Sequence, residues 1–280
     1  MSTRKGAWVI VGAGVMGRAL REGLEAAKVV DKKNLFVSVR NAERRSELEG
    51  RSVQTISRDH PKRAREVLAS AEMVLLCVKP FQIQETLNDL KAMGLSSKST
   101  LVSVLTGVSI KKIKTALKSR GLKNGVVRAM PNTPCLVRQG MTVFTADESV
   151  SDAVREKVRT LFSAVGAVLE LEEKYFDAVT ALGGSGPAYF LLIIEALVNG
   201  GVAVGLPREH SRTIVTETLL GTTALLLQSD KHAAALRDDV TTPGGCTAAA
   251  LLVMEDGKIR STLAHAIREA TRIAALLGQS

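Results

Sequence analysis

The sequence predicts an α/β N-terminal domain with a mostly parallel sheet, followed by an all-α C-terminal domain. A short apolar run, Trp8–Val11, meets a turn spaced by Gly12, Gly14 and Gly17, then passes into a helical stripe of Met16, Leu20 and Leu24. Apolar runs alternate with helical stretches as far as Leu171; beyond it the strand signals stop and the helical ones continue. The joint is expected at Glu172-Glu173-Lys174, dividing the chain into 1–171 and 172–280.

The opening strand–turn–helix has the spacing of a dinucleotide-binding turn, which makes the first domain Rossmann-type. Gly12 permits the tight turn and Gly14 lets the main chain approach a pyrophosphate. Gly17 lets helix and strand pack closely, and free N–H groups at the helix start face the phosphate charge. The helix is expected over Val15–Ala27 and the second strand over Asn34–Arg40. An NAD site usually places an acid at that strand's end; here Arg40 is followed by Arg44 and Arg45, with Glu43 the nearby acid. A guanidinium cluster there suits the extra 2′-phosphate of NADP.

Further strands are expected at Val53–Ile56, Met73–Val78, Thr100–Ser103, Gly125–Met130, Gly140–Thr145 and Ala167–Leu171. Helices are expected at Pro61–Ser70, from Pro80, at Ile110–Ser119 and at Ser151–Ala164. Ligands of open α/β sheets lie outside the carboxyl ends of the strands, which puts Val78, Lys79 and the Leu105-Thr106-Gly107 turn beside the cofactor. Arg128–Pro134 forms a proline-stiffened loop offering Asn132 and Thr133.

In the second half, a short helix at Tyr175–Ala181 precedes the glycine break of Gly183–Gly186, and Pro187 suits the first position of the next helix. The apolar stretch Phe190–Leu206 carries Glu195, Gly200 and Gly201 and is expected to be a buried helix rather than a membrane span. Another helix runs from Pro207 to about Gln228. Its leucines (Leu219, Leu220, Leu225, Leu226, Leu227) exceed what one small bundle buries, so part of it is expected to be a subunit interface. The loop before Ala248 holds Thr241, Thr242, Gly244, Gly245, Cys246 and Thr247. Thr247 is expected as the N-cap of the helix that follows. No Glu or Gln completes a capping box, which leaves N–H groups for an anion, and Gly244 and Gly245 admit a carboxylate close to the main chain. A last amphipathic helix is expected at Ile259–Leu277.

The bulk properties agree with a folded globular chain. At 280 residues, 45% hydrophobic and 3% aromatic, the chain has ample Val, Leu, Ile and Ala for a core. A formal net charge of +10 suits anionic small molecules; the basic residues are scattered and lack stacking aromatics, which argues against nucleic acid. Cys77, Cys135 and Cys246 are too far apart for a disulfide framework or zinc site, so no metal is expected and a reducing, cytoplasmic location is. Met1–Gly6 is expected to hold no leader, and no membrane attachment is expected.

From end to end the chain resembles the pyrroline-5-carboxylate reductases. The shared motifs are G-A-G-V-M-G at Gly12–Gly17, V-K-P at Val78–Pro80, M-P-N-T-P at Met130–Pro134 and G-S-G-P-A-Y at Gly184–Tyr189. G-L-P at Gly205–Pro207 and L-R-D-D-V-T-T-P-G-G-C-T at Leu236–Thr247 complete them. The resemblance implies NADPH-dependent reduction of 1-pyrroline-5-carboxylate to L-proline, the final step of proline synthesis, with NADH an alternative donor. It also implies a helical dimerisation domain and a homodimer, with decamers among the family's assemblies. Carried over, Ala13, Val15 and Met16 line the pyrophosphate, and Arg40 or Val39 meets the adenosine ribose and its phosphate. Val78, Lys79 and Thr106 follow the cofactor, and Asp239 reaches it from the helical domain. Cys246 and Thr247 hold the substrate, with Glu173 close to it. Three positions depart from the family pattern: Gly17 often has an alanine counterpart, which is expected to be tolerated; Gly183 replaces a common serine; and Asp239 stands where a neutral amide is frequent.

Hydride transfer to a C=N bond is easiest when the nitrogen is already protonated, and a cyclic imine can take that proton from water. His60, His210, His232 and His265 lie outside the motifs, so Thr247 is the expected catalytic hydroxyl, orienting the imine nitrogen. Two alternatives share the layout: a reductase or dehydrogenase of another imine or hydroxy acid, and a non-catalytic NADP-binding regulatory paralogue. Hydroxyacid dehydrogenases carry a catalytic lysine on the helix after the glycine break, and none occurs between Gly183 and Pro207.

Overall fold

The computed structural model describes residues 6–279; residues 1–5, where the absence of a leader is expected, lie outside the described residues. Two compact units divide the chain, one comprising 1–184 with 270–280 and the other 185–269. The division between these units falls at the glycine-rich turn, and the chain's last residues group with the first unit.

The first unit is built on an eight-stranded sheet ordered β3-β2-β1-β4-β5-β6-β7-β8. Its strands are β1 Ala7–Val11, β2 Leu35–Ser38, β3 Thr55–Ile56, β4 Ala71–Leu76, β5 Thr100–Ser103, β6 Val126–Met130, β7 Gly140–Ala146 and β8 Gly166–Glu170. All neighbours pair in parallel except β6 and β7. The helices are α1 Val15–Ala26, α2 Ala42–Gly50, α3 Pro61–Ala69, α4 Ile83–Ala92, α5 Ile110–Lys118, α6 Asp152–Ser163 and α7 Phe176–Val179. Strand alternation assigns them to opposite faces. Trp8 and Ile10 of β1 join Leu20 and Leu24 of α1 and Leu161 and Phe162 of α6. Val9 and Val11 join Leu68 of α3, Leu87 and Leu90 of α4, and Leu117 of α5. With both faces covered, the strands read as continuous apolar runs, which is why the sequence locates them.

Strand order reverses between β2-β1 and β1-β4, so the crevice between these strands' carboxyl ends is where such a fold takes a ligand. The first unit closes with a π-helical turn at Thr180–Gly184, so the glycine stretch winds the chain more loosely than the plain break expected.

The second unit is helical: α8 Gly186–Ala203, α9 Arg208–Gln228, α10 Ala233–Asp239, α11 Cys246–Asp256 and the first half of α12 Ile259–Gln279. Helices α8 and α9 pack closely, and Ser211 Oγ donates 2.9 Å to the Val198 carbonyl. The expectation that Phe190–Leu206 is buried does not hold within one chain. Gly186 and Val198 are the buried residues of α8, whereas Phe190, Leu191, Leu192 and Leu197 are exposed. Leu220, Leu225 and Leu227 of α9 and Leu252 and Val253 of α11 are exposed as well. An apolar surface this extensive is stable in water only when covered from outside the chain. The helix α10 was not expected either. Its N-cap is His232, whose Nδ1 accepts from the Ala234 N–H at 3.1 Å, and histidine is not a residue that signals a cap.

Candidate functional site

A cavity of about 1170 Å³ opens at the carboxyl ends of the strands in the first unit. Gly12, Ala13, Gly14, Val15, Met16, Arg40, Val78, Lys79 and Thr106, all expected on the cofactor, line it together. The turn of β1 into α1 explains its floor. Gly12 has φ of +107°, and a Cβ there would press on the Cys77 carbonyl. Gly17 is pressed from the other side: a Cβ would collide with the Gly12 carbonyl oxygen. Glycine at this position, where the family often has alanine, leaves the Gly12 carbonyl its room; a side chain here requires that carbonyl to shift. Gly14 is the opposite case. Nothing lies within 4 Å of where its Cβ would be, so the space above it is free for a ligand. Gly14 caps α1 with no side-chain bond, and the first turn of α1 holds no acid. An uncapped N-terminus facing open space fits a pyrophosphate, and it is the cradle the dinucleotide needs.

Past β2, the arginine cluster divides. Arg40 and Arg44 line the cavity, while Arg45 does not and is held behind two lining residues, donating to Ser57 Oγ at 2.8 Å and Asp59 Oδ2 at 2.5 Å. Asn41, a cavity residue, caps α2 by accepting from the Arg44 N–H at 2.7 Å. Arg40 is itself held in place: its Nη1 donates to Glu85 at 2.5 Å, its Nη2 to Thr86 Oγ1 at 3.1 Å, and its Nε lies 3.0 Å from Asp89 Oδ2. Arg58, Glu85, Thr86 and Asp89 also line the cavity, and none is evident from motif spacing. Three of them sit on α4, whose cavity face becomes visible only once the helix is docked on the sheet.

The M-P-N-T-P loop is part wall and part brace. Met130, Pro131 and Thr133 line the cavity. Asn132 is spent internally, donating to the Gly183 carbonyl at 3.1 Å and accepting from the Met141 N–H at 2.9 Å. Cys77 also borders the cavity, and burial pushes its thiol up to about 12, so it takes no part as a thiolate.

Glu173, expected near the substrate, is half-buried and already engaged. Its Oε1 accepts from the Ile110 N–H at 2.8 Å and from Arg128 Nη1 at 3.0 Å.

In the second unit, Asp239 ends α10 and pairs with Lys231 Nζ at 2.6 Å, both side chains being more than half exposed. Thr242, Gly244, Gly245, Cys246 and Thr247 follow in one turn, with the Gly245 N–H donating to the Thr242 carbonyl at 3.0 Å. The N-cap of α11 is Gly245, and Thr247 lies at the second helical position, correcting the expected cap by two residues. A side chain at Gly245 would meet Thr242 Oγ1, so glycine suits the cap position. The hydroxyl of Thr247 is thereby released from capping. No side chain caps α11, and no acid occupies its first turn. Among the described residues, no cluster of His, Cys, Asp and Glu could hold a metal.

Residues 173–277 match the family described as pyrroline-5-carboxylate reductase dimerisation, and residues 8–107 match that described as NADP oxidoreductase, coenzyme F420-dependent. Curated relatives named pyrroline-5-carboxylate reductase include that of Synechocystis, 37% identical over 96% of this chain and 97% of its own length. That of Arabidopsis thaliana is 36% identical over 96% and 95%. Among solved structures, the Plasmodium falciparum pyrroline carboxylate reductase with NADP bound superposes with a TM-score of 0.85 at 30% identity, covering 99% of this chain and 100% of that one. The Coxiella burnetii pyrroline-5-carboxylate reductase gives 0.87 at 32% identity over the same shares. The chain belongs to the pyrroline-5-carboxylate reductase family.

Proposed function

We infer that the chain reduces 1-pyrroline-5-carboxylate to L-proline with NADPH, the final step of proline synthesis. The observation that carries this is the conjunction of the uncapped Gly14 turn, the arginines past β2, and 37% identity over nearly the whole chain with a relative named pyrroline-5-carboxylate reductase. When bound, the reduced nicotinamide supplies the hydride. The chain's own residues do the holding. Gly12–Met16 offer main-chain N–H groups and the α1 dipole to the pyrophosphate. Arg40 takes the 2′-phosphate by displacing exposed Glu85. Val78, Lys79 and Thr106 would flank the nicotinamide half.

The substrate is a carboxylate next to a cyclic imine. The main chain of Gly244–Thr247, with Thr242 and Cys246 beside it, holds the carboxylate at the uncapped start of α11. The Thr247 hydroxyl, free of a capping duty, donates to or accepts from the imine nitrogen and fixes the ring. Protonation of that nitrogen comes from water, so the principal contribution is orientation. Glu173 contributes through the elements it ties together.

The exposed apolar helices are covered by a second copy, as the dimerisation match over 173–277 supports. The helical stretch Glu173–Ala203 is long and apolar enough to cross a membrane by length and composition, and self-association accounts for the same surface. Association of dimers into decamers and a cytoplasmic location complete the reading; the free cysteines suit a reducing compartment.

The test is NADPH oxidation with pyrroline-5-carboxylate, beside a keto acid and a no-substrate control. Turnover with the imine alone is expected, and turnover with the keto acid alone would reject the reading. Thr247→Ala is expected to lower kcat/KM about tenfold, the loss of one oriented hydrogen bond.

A further inference from the structure

The far end of the cavity carries a second arginine that pairs with Arg40 by strand register. β2 and β3 run parallel with Ser38 opposite Ile56, so Arg40 and Arg58 each stand two residues past the last paired position. Neighbouring strands lie about 4.8 Å apart, so the two stems leave the sheet side by side. Helix α4 supplies the group that joins them. The Asp89 side chain is 9% exposed; its Oδ2 lies 3.0 Å from Arg40 Nε and its Oδ1 2.9 Å from Arg58 Nη1. One buried carboxylate thus bridges two guanidinium groups that both line the cavity.

The charges around this pair are unequal in mobility. Asp59 and Glu47 are occupied by Arg45 and Arg44. Asp89 is fixed by burial. Glu85 is 63% exposed and held by Arg40, an ion pair open enough to water to exchange readily. A phosphate monoester carries more charge and three acceptor oxygens, so it replaces Glu85 while Asp89 keeps both arginines in place.

We propose that Arg58 is a second guanidinium ligand of the cofactor's 2′-phosphate, and that Asp89 is the positioning residue that sets selectivity for NADP(H) over NAD(H). The proposal rests on the NADPH reading above. It explains why a buried acid is kept at an anion site: without it the two arginines repel and separate. Arg58 does not follow the dinucleotide turn or sit at the end of β2, so motif spacing does not select it.

Calorimetric titration of the full chain with 2′,5′-ADP and with 5′-AMP isolates the 2′-phosphate, since the ligands differ in that group alone. The wild-type protein is expected to bind 2′,5′-ADP more tightly. Arg58→Gln is expected to weaken 2′,5′-ADP about tenfold, or about 1.4 kcal/mol, while 5′-AMP stays within about twofold. Asp89→Asn is expected to lower the same affinity ratio with 5′-AMP binding retained, which a general loss of structure would not do. An unchanged ratio in Arg58→Gln, or equal weakening of both ligands, overturns the role of Arg58 while leaving the NADPH reading intact. An unchanged ratio in Asp89→Asn overturns its positioning role. A wild-type protein with no preference for 2′,5′-ADP overturns this proposal and the NADPH reading together.

Discussion

Arg128 Nη1 lies 3.0 Å from Glu173 Oε1, and the same oxygen accepts the Ile110 N–H. Arg128 is buried on β6, and its guanidinium also stacks over the Phe176 ring at 4.6 Å. Ile110 is the first residue of α5, whose N–H groups have no intrahelical partner. A single carboxylate therefore ties the middle of β6, the start of α5 and the chain leading into α7. The loop between β5 and α5 carries Thr106, so its position at the cavity depends on this anchor. Glu173→Ala is expected to cost about 1–3 kcal/mol of stability, because it leaves a buried guanidinium and a helix N–H without an acceptor. Glu173→Gln, which keeps an acceptor for Ile110, is expected to recover part of it. Thermal melts of both variants check this; equal melting temperatures for the wild type and Glu173→Ala would reject the anchor.

Asp147 provides an acid-sensitive joint. Desolvation works to raise its pKa, but bonds from Ser149, the Val126 N–H and Lys114 together outweigh it and hold the carboxyl below its ordinary value. The Val126 N–H lies at 2.6 Å and Lys114 Nζ at 3.1 Å. The folded pKa is the lower one, so the stabilisation is fully present above the unfolded value of about 3.9 and is lost as pH falls through the folded one. Asp147→Asn is expected to flatten the acid limb of the stability–pH curve below about pH 4. Urea melts across that range read it directly, and an acid limb as steep as the wild type's would reject it.

Most of the first unit was legible from the sequence because its strands are buried on both faces and its helices on one. Thr100–Ser103 is read to the residue, and Met73–Val78 misses by two residues at each end, because the strand begins at Ala71 ahead of the charged Glu72 and the apolar run continues through Cys77 and Val78 past its end. The cofactor-binding residues expected near the glycine turn and the strand ends share one cavity, since that placement follows from parallel topology alone. What was not legible depends on contacts distant in sequence. Arg45 turns to Asp59, Asp89 meets Arg40 only through the docking of α4, and the cap of α11 falls at Gly245, against Thr242, rather than at Thr247. The exposure of α8 is a different case: apolar composition marks burial but not whether the covering surface belongs to the same chain.

Gly17→Ala tests the tightness of the nucleotide turn. The added methyl meets the Gly12 carbonyl, which the φ of +107° at Gly12 and the nearby Cys77 carbonyl keep from retreating. The variant is expected to lose about 1–3 kcal/mol by overpacking. It is also expected to bind NADPH more weakly, as the turn opens away from the pyrophosphate. Fluorescence titration with NADPH and a thermal melt check both, and wild-type values in each would show that the turn relaxes freely.

The apolar helices of the second unit set the last expectation. Leu220 and Leu227 of α9 are 66% and 82% exposed in the single chain, and Leu252 and Val253 of α11 are similarly bare. If a second copy covers them, a charge placed there must be desolvated on association, at a cost of several kcal/mol per buried unpaired ion. Leu220→Lys is therefore expected to shift the protein toward monomers, seen as a halved mass by light scattering at micromolar concentration. The melting temperature of the wild type should rise with protein concentration, because folding and association are linked by mass action. In Leu220→Lys that dependence should weaken. An unchanged mass for Leu220→Lys, with a concentration-independent melt for the wild type, would place this face outside the interface.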